Sequence, residues 1–269
     1  MIFWVLLFLV IVGFAIFSLR FPWWRKSISD TYTRVLMYHM VREHLPKNES
    51  KFNRLRVTPK NFEKQISWLA KNGYKSYFLS ELNSQNLPSK SVVITFDDGY
   101  RDNLTNALPI LQKYGFKANI FIVVNRFDKN WASDKDLKIS SDELNAEEML
   151  SHEEVKTLLD SGLIEIGSHT LNHANLPSLS ESEKEREITL SKGQIEQIYG
   201  IKCDTFAYPF GFYDEKSVEI AKNSYKFSVT TKNYVLKKEY ANSQIPRLMV
   251  SGKMGLFGFI LLMKKGRRR

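Results

Sequence analysis

The run Ser91-Val92-Val93-Ile94-Thr95-Phe96-Asp97-Asp98-Gly99 restricts the folds open to this chain more than any other feature. Its opening residues are apolar and β-branched, the pattern of a buried strand. Two carboxylates emerge where the strand ends, and Gly99 permits a sharp turn. Neighbours inside a strand point to opposite faces, but a turn at its end can aim both into one pocket. About seventy residues later a second strand-like run, Ile164-Glu165-Ile166-Gly167, precedes His169-Thr170-Leu171-Asn172-His173. Imidazoles four apart would share one face of a helical turn. One carboxylate and two imidazoles make a three-ligand metal site with a position left for water. The other carboxylate is then free to act as a base, and the chemistry implied is metal-assisted hydrolysis. Asp-Asp-Gly alone usually marks a turn, and His-x-x-x-His alone is usually incidental. Two such runs, each closing a predicted strand, point to a site.

The middle of the chain alternates strand and helix. Val35 to Tyr38 reads as a strand, and residues 42–57 as a polar, basic connection. Thr58-Pro59 caps a helix through Leu69 that ends near Gly73. A helix over 103–114 and a strand from Ala118 to Val124 follow the aspartates, then a charged loop over 125–147. Ser151 and Glu154 form a capping box for a helix to Leu159. A charged amphipathic helix spans 181–198, with a solvated outer face. Two further strands flank a helix over 214–223. The alternation predicts an α/β fold of parallel βα units closed as a barrel, with motifs from several strand ends meeting at one mouth. A chain of 269 residues, 43% hydrophobic, can bury one sizeable core. The one cysteine, Cys203, excludes an internal disulfide and a Cys-based metal site. It reads as a buried structural thiol.

The Thr-Phe-Asp-Asp-Gly and His-Thr-x-x-His runs resemble the first two motifs of the polysaccharide deacetylases, the NodB-like carbohydrate esterases. Phe206-Ala207-Tyr208-Pro209-Phe210-Gly211 resembles their third motif. Leu36-Met37-Tyr38-His39 resembles the opening strand of the branch that includes the poly-N-acetylglucosamine deacetylases. The resemblance covers residues 34–250 and implies a distorted, incomplete (β/α) barrel. It implies Asp97 as catalytic base, and Asp98, His169 and His173 as ligands of a divalent metal, usually Zn2+, with Co2+, Mn2+ or Ni2+ as alternatives. It places Phe210 where a backbone N–H helps hold the oxyanion. Two departures stand out. Ala207 occupies a position where the family often has Arg, and no histidine follows His173 to act as general acid. An expelled amine needs a proton, and the resemblance assigns that role to His39. Arg247 is a candidate to orient Asp97 in place of the missing arginine. The reaction implied removes an N-acyl group, chiefly acetyl, from an amino sugar.

The ends of the chain carry a different message. Residues 1–20 read as a transmembrane helix: Met1 to Leu19 holds no charge and is long enough, at roughly 28 Å, to cross a bilayer core. A cleaved signal peptide is the competing reading, weakened by the lack of a basic start. Residues 21–33 read as a juxtamembrane linker, with Trp23 and Trp24 suited to an interface. Arg20, Arg25, Lys26 and Arg34 follow the span. They predict a single-pass protein of the inner, cytoplasmic membrane with its catalytic domain in the cytoplasm. The net charge of +10 suits an anionic lipid surface. Residues 251–269 combine an apolar run with a basic tail, the pattern of a membrane-associating segment; a buried closing helix is the alternative. Nucleic acid is not expected as a partner. An enzyme held at the inner leaflet by both ends would meet a lipid-linked N-acylated sugar, as in lipid A modification of the cell envelope. The alternatives are a deacetylase of exported poly-N-acetylglucosamine or peptidoglycan, and a non-catalytic, membrane-tethered carbohydrate-binding protein.

Overall fold

The computed structural model describes residues 2–21, 23–82, 87–127, 142–236 and 240–266. Helix α1 (Ile2–Arg20) leads. Strands β1 (Arg34–Tyr38), β2 (Met40–Val41) and β3 (Arg56–Val57) precede helix α2 (Pro59–Lys71). Then come β4 (Lys75–Ser76), β5 (Ser91–Phe96), α3 (Leu108–Tyr114), β6 (Ala118–Ile122), α4 (Asp142–Asn145), α5 (His152–Asp160) and β7 (Ile164–Ser168). Helices α6 (Glu181–Glu185) and α7 (Ser191–Tyr199) are joined by a π turn over Arg186–Leu190. Strand β8 (Thr205–Ala207), helix α8 (Glu215–Ser224), β9 (Phe227–Val229), β10 (Leu248–Met249) and α9 (Leu256–Lys265) complete the chain.

Eight strands form one parallel sheet in the order β10-β1-β5-β6-β7-β8-β9, with β4 beside the start of β5. The ends of that path approach each other. Thr230 N donates to Ile245 O at 2.8 Å, and Ile245 N donates to Ser228 O at 2.9 Å, just ahead of β10. The result is the expected distorted, incomplete barrel. Every residue of β1, β5 and β6 is buried, as the continuous apolar runs of a two-sided parallel sheet require. The register pairs Tyr38 with Phe96, Phe96 with Ile120, and Ile122 with Ser168. His39, Asp97 and His169, each the next residue after its strand, therefore leave the same end of the barrel.

The helix caps match the sequence reading. Thr58 Oγ1 accepts from Asn61 N at 3.3 Å. Ser151 and Glu154 close their box with bonds of 3.1 and 3.0 Å. Cys203 is buried.

Three stretches differ from the expectation. The polar connection 42–57 ends in β3, which pairs with β2 and buries Arg56 completely. The loop expected over 125–147 ends in α4, whose Leu144 is buried with Met40, Tyr100 and Val123; residues 128–141 lie outside the described residues. The apolar run near the C-terminus is α9, and its inner side buries Phe259, Leu262 and Met263. Trp68 of α2 meets the Phe259 ring edge-on at 6.1 Å. Much of the apolar surface read as membrane-associating is thus spent on the barrel, while the tail 267–269 lies outside the described residues.

Candidate active site

Asp98 and Gly99 follow β5 with φ of 76° and 86°. Two successive left-handed residues reverse the chain within one turn, so that Asp97 and Asp98 line the same cleft. A Cβ on Gly99 would stand 3.0 Å from Ile122 Cγ2, so glycine fits both the conformation and the space.

The two histidines converge by a different route from the helical turn expected. Residues 169–173 form a tight turn in which Thr170 and His173 are left-handed, with φ of 68° and 54°. The turn is anchored at its start by His169 N donating to Ile122 O at 2.9 Å. Its middle is held by Glu187, which accepts from Asn172 N at 2.9 Å and from Asn172 Nδ2 at 2.6 Å.

Asp98 Oδ1 lies 3.5 Å from His169 Nε2 and 3.5 Å from His173 Nε2. That oxygen is buried and has no hydrogen-bond partner. Ligand atoms about 2.0–2.2 Å from a tetrahedral ion stand roughly 3.3–3.6 Å apart, so the three atoms fit one divalent metal. An orphaned carboxylate oxygen facing two imidazole nitrogens is otherwise costly. His169 Nδ1 lies 2.7 Å from Ala207 O and donates to it, which leaves the Nε2 lone pair facing the site. Burial, with the neighbouring His173 adding to it, pushes the His169 imidazole down to about 4. It is neutral at physiological pH, as a ligand must be.

Asp97 is held differently. Arg247 is fully buried and donates to Asp97 through both terminal nitrogens, Nη1 to Oδ1 at 2.6 Å and Nη2 to Oδ2 at 2.8 Å. Two further donors reach Thr95 Oγ1 and Thr230 O, both at 3.0 Å. Burial alone would raise the Asp97 carboxyl, but the Arg247 charge and hydrogen bonds, together with nearby His169 and His39, outweigh it and hold the group at about 2. The arginine absent at Ala207 is thus replaced in space by one that precedes β10. The Thr230 carbonyl has no signal in the sequence, and Thr95 stands out only as part of its motif, because their part is to fix Arg247.

His39 and Phe210 line the same cleft, which brings together every site residue expected from the sequence. Phe210 is left-handed at φ 56° and its ring meets His173 edge-on at 4.4 Å. The cleft encloses about 500 Å³. Phe52, Arg54, Leu55 and Leu144 supply a wall that the sequence reading missed. Buried Arg56 fastens that wall, with Nη1 on Glu143 at 2.5 Å and Nη2 on Glu147 at 2.6 Å.

A family model, polysaccharide deacetylase, matches residues 84–226. YxkH of Bacillus subtilis strain 168, assigned by name to the polysaccharide deacetylases, is 31% identical over 86% of this chain and 76% of its own length. A poly-beta-1,6-N-acetyl-D-glucosamine N-deacetylase of Staphylococcus epidermidis is 27% identical over 80% of this chain and 78% of its own. The crystal structure of BC0361, a polysaccharide deacetylase from Bacillus cereus, superimposes with a TM-score of 0.73 at 29% identity, over 87% of this chain and 69% of the other. The chain belongs to the polysaccharide deacetylase family. It is a metal-dependent hydrolase of the amide bond of N-acylated sugars.

Proposed function

We propose that this enzyme removes acetyl groups from an N-acetylglucosamine polymer, with poly-β-1,6-N-acetylglucosamine as the leading substrate. The observation that carries the chemistry is the orphaned Asp98 oxygen facing two imidazoles beside an arginine-clamped Asp97. The name of the Staphylococcus epidermidis relative supports the polymer. Asp98, His169 and His173 would hold the metal, Zn2+ by the chemistry of one carboxylate and two imidazoles. When bound, the ion supplies a water of lowered pKa and polarises the acyl oxygen.

The remaining work falls to the chain. Asp97 accepts the proton of the attacking water, and Arg247 aims its carboxylate and keeps it ionised. The backbone N–H of Phe210 helps hold the developing oxyanion. His39 delivers a proton to the departing nitrogen, without which the amine is a poor leaving group. The products are a free amino sugar and acetate. The apolar wall of Phe52, Leu55 and Leu144 suits the faces of sugar rings and excludes water from the reacting amide.

A second reading, a lipid-linked N-acylated sugar, is favoured by α1, whose apolar residues 2–19 form a helix long enough to span a membrane and lie exposed. Zn2+-loaded full-length protein, incubated separately with poly-β-1,6-N-acetylglucosamine oligomers and a polyprenyl-linked N-acetyl sugar, tests both through acetate release. Release from the lipid-linked sugar alone would overturn the polymer assignment. A polymer substrate also calls for the domain on the outer side of the membrane, against the cytoplasmic orientation expected from Arg20, Arg25 and Lys26. A topology reporter after Arg269 separates the two.

A further inference from the structure

The segment read as a juxtamembrane linker is folded onto the domain. Arg34, fully buried at the start of β1, donates to the carbonyls of Ser29, Tyr32, Ile28 and Met263. Ile28 N donates to Lys264 O at 2.8 Å, and the Lys265 ammonium reaches Arg25 O and Ser27 Oγ. Residues 25–34 and the end of α9 are therefore one strapped unit, which leaves little slack between α1 and the barrel.

The other end of α9 meets α1 itself. The half-exposed Phe257 ring stacks on Phe17 at 5.9 Å and meets Phe21 edge-on at 5.3 Å. Trp23 and Trp24 are exposed beside them, each with its indole N–H on Ser18. From Phe257 to Lys264, α9 rises about 10 Å. Along that distance its outward side passes from an aromatic ring to the exposed Lys264. The linker runs alongside in the same order, from Trp23 and Trp24 to exposed Lys26, and the two basic ends meet where Ile28 bonds Lys264. Aromatic rings at the acyl boundary with cations about one headgroup layer further out are what a bilayer interface selects.

We propose that Phe257, Trp23 and Trp24, with Lys26 and Lys264, form one face that docks the domain directly on the phospholipid bilayer α1 enters. The occupant is the lipid surface because Phe257 is continuous with α1 through Phe17 and Phe21. The inner side of α9 is already spent on the core. The enzyme then works within the height of its own domain above the membrane and meets polymer as it emerges or lipid-anchored chains. This inference rests on Ile2–Leu19 being a retained span.

The test uses full-length protein in vesicles of phosphatidylethanolamine and phosphatidylglycerol. Cys203 is buried with its thiol pushed up to about 12, so an introduced cysteine carries a fluorescent probe alone. Phe257→Cys and Lys264→Cys mark the face. Ser182→Cys, exposed on α6, which packs on α8, marks a remote site. Lipids spin-labelled near the headgroup should remove most of the emission at 257 and 264 and leave 182 unchanged. A probe at 257 quenched no more than one at 182, in protein that resists carbonate extraction, would overturn the docking face and leave the span standing. Protein released by carbonate would overturn the span and the docking face together.

Discussion

Replacing Arg247 by Met keeps much of the volume and removes the charge. Asp97 then stays buried without the guanidinium that chiefly offsets the cost. Against burial, the Arg247 charge and hydrogen bonds, with His169 and His39, take the carboxyl from the usual 3.8 to about 2, a net of roughly 2–3 kcal/mol at about 1.4 kcal/mol per pH unit. Breaking a buried pair from one side costs about 3–5 kcal/mol, because the remaining charge is stranded. In a chain of this length that lowers Tm by roughly 10 °C. The sign with pH follows. The folded value lies below the unfolded one, so the pair stabilises the parent above about pH 4 and that contribution fades as pH falls toward 2. In the variant the carboxyl rises, because burial remains and its main counter-charge is gone, so acid relieves the stranded charge. The Tm gap between parent and variant should be widest near neutrality and narrow on acidification. Turnover should fall by about 10²-fold or more, the lower range of general-base assistance, with metal content unchanged. Arg247→Lys restores charge without the two-pronged clamp and should recover stability more than turnover. Calorimetry at both pH values, metal analysis and acetate release check this. A Met variant turning over within a few-fold of the parent would refute the view that Arg247 aims the base.

Asp98→Ala, His169→Ala and His173→Ala should each lose metal and activity while circular dichroism stays that of the folded barrel; unchanged metal content in all three would remove the ligand assignment. Asp97→Asn should retain metal and lose about 10²–10⁴ in turnover, and near-normal kcat would mean that the two aspartates have exchanged roles. His39→Ala should lower kcat with metal retained, so a near-normal kcat would return His39 to a structural part.

The barrel and most of its site were legible because the signals are local. Buried β-branched runs specify β1, β5 and β6, and caps at Thr58 and Ser151 specify α2 and α5. Two motifs at strand ends specify the candidate metal ligands. What stayed hidden depends on contacts distant in sequence. Arg247, 150 residues from Asp97, is a candidate from sequence to orient that carboxylate, but its complete burial and its two-pronged bond depend on the fold. Arg56 sits in a stretch that reads as solvated, yet it is buried because Glu143 and Glu147, about ninety residues away in sequence, pair with it. The apolar run of α9 suits lipid and core equally by composition. Only the position of α2 shows that Phe259, Leu262 and Met263 face inward.

The backbone explains why the site needs so much of the fold behind it. Among the described residues, five that are not glycine have positive φ, and four of them are Asp98, Thr170, His173 and Phe210. Each left-handed conformation costs an L-residue roughly 1–2 kcal/mol, and β-branched Thr170 is the least tolerant of it. The site therefore stores several kcal/mol of local strain, which persists only where neighbours over-determine it. The histidine turn is held by Ile122 O at one end, by Glu187 at its centre and by Val124 N donating to Thr170 O at 3.2 Å. The aspartate turn is wedged against Ile122, and Leu150 N donates to Gly99 O at 3.0 Å. Both turns thus lean on the end of β6, a strand that contributes no ligand. A relaxed helical turn would also have placed two imidazoles side by side, but not 3.5 Å from one Asp98 oxygen with Asp97 clamped on the adjacent residue. The strain brings ligands and base into one cleft, and the rigid sheet beneath keeps it from relaxing.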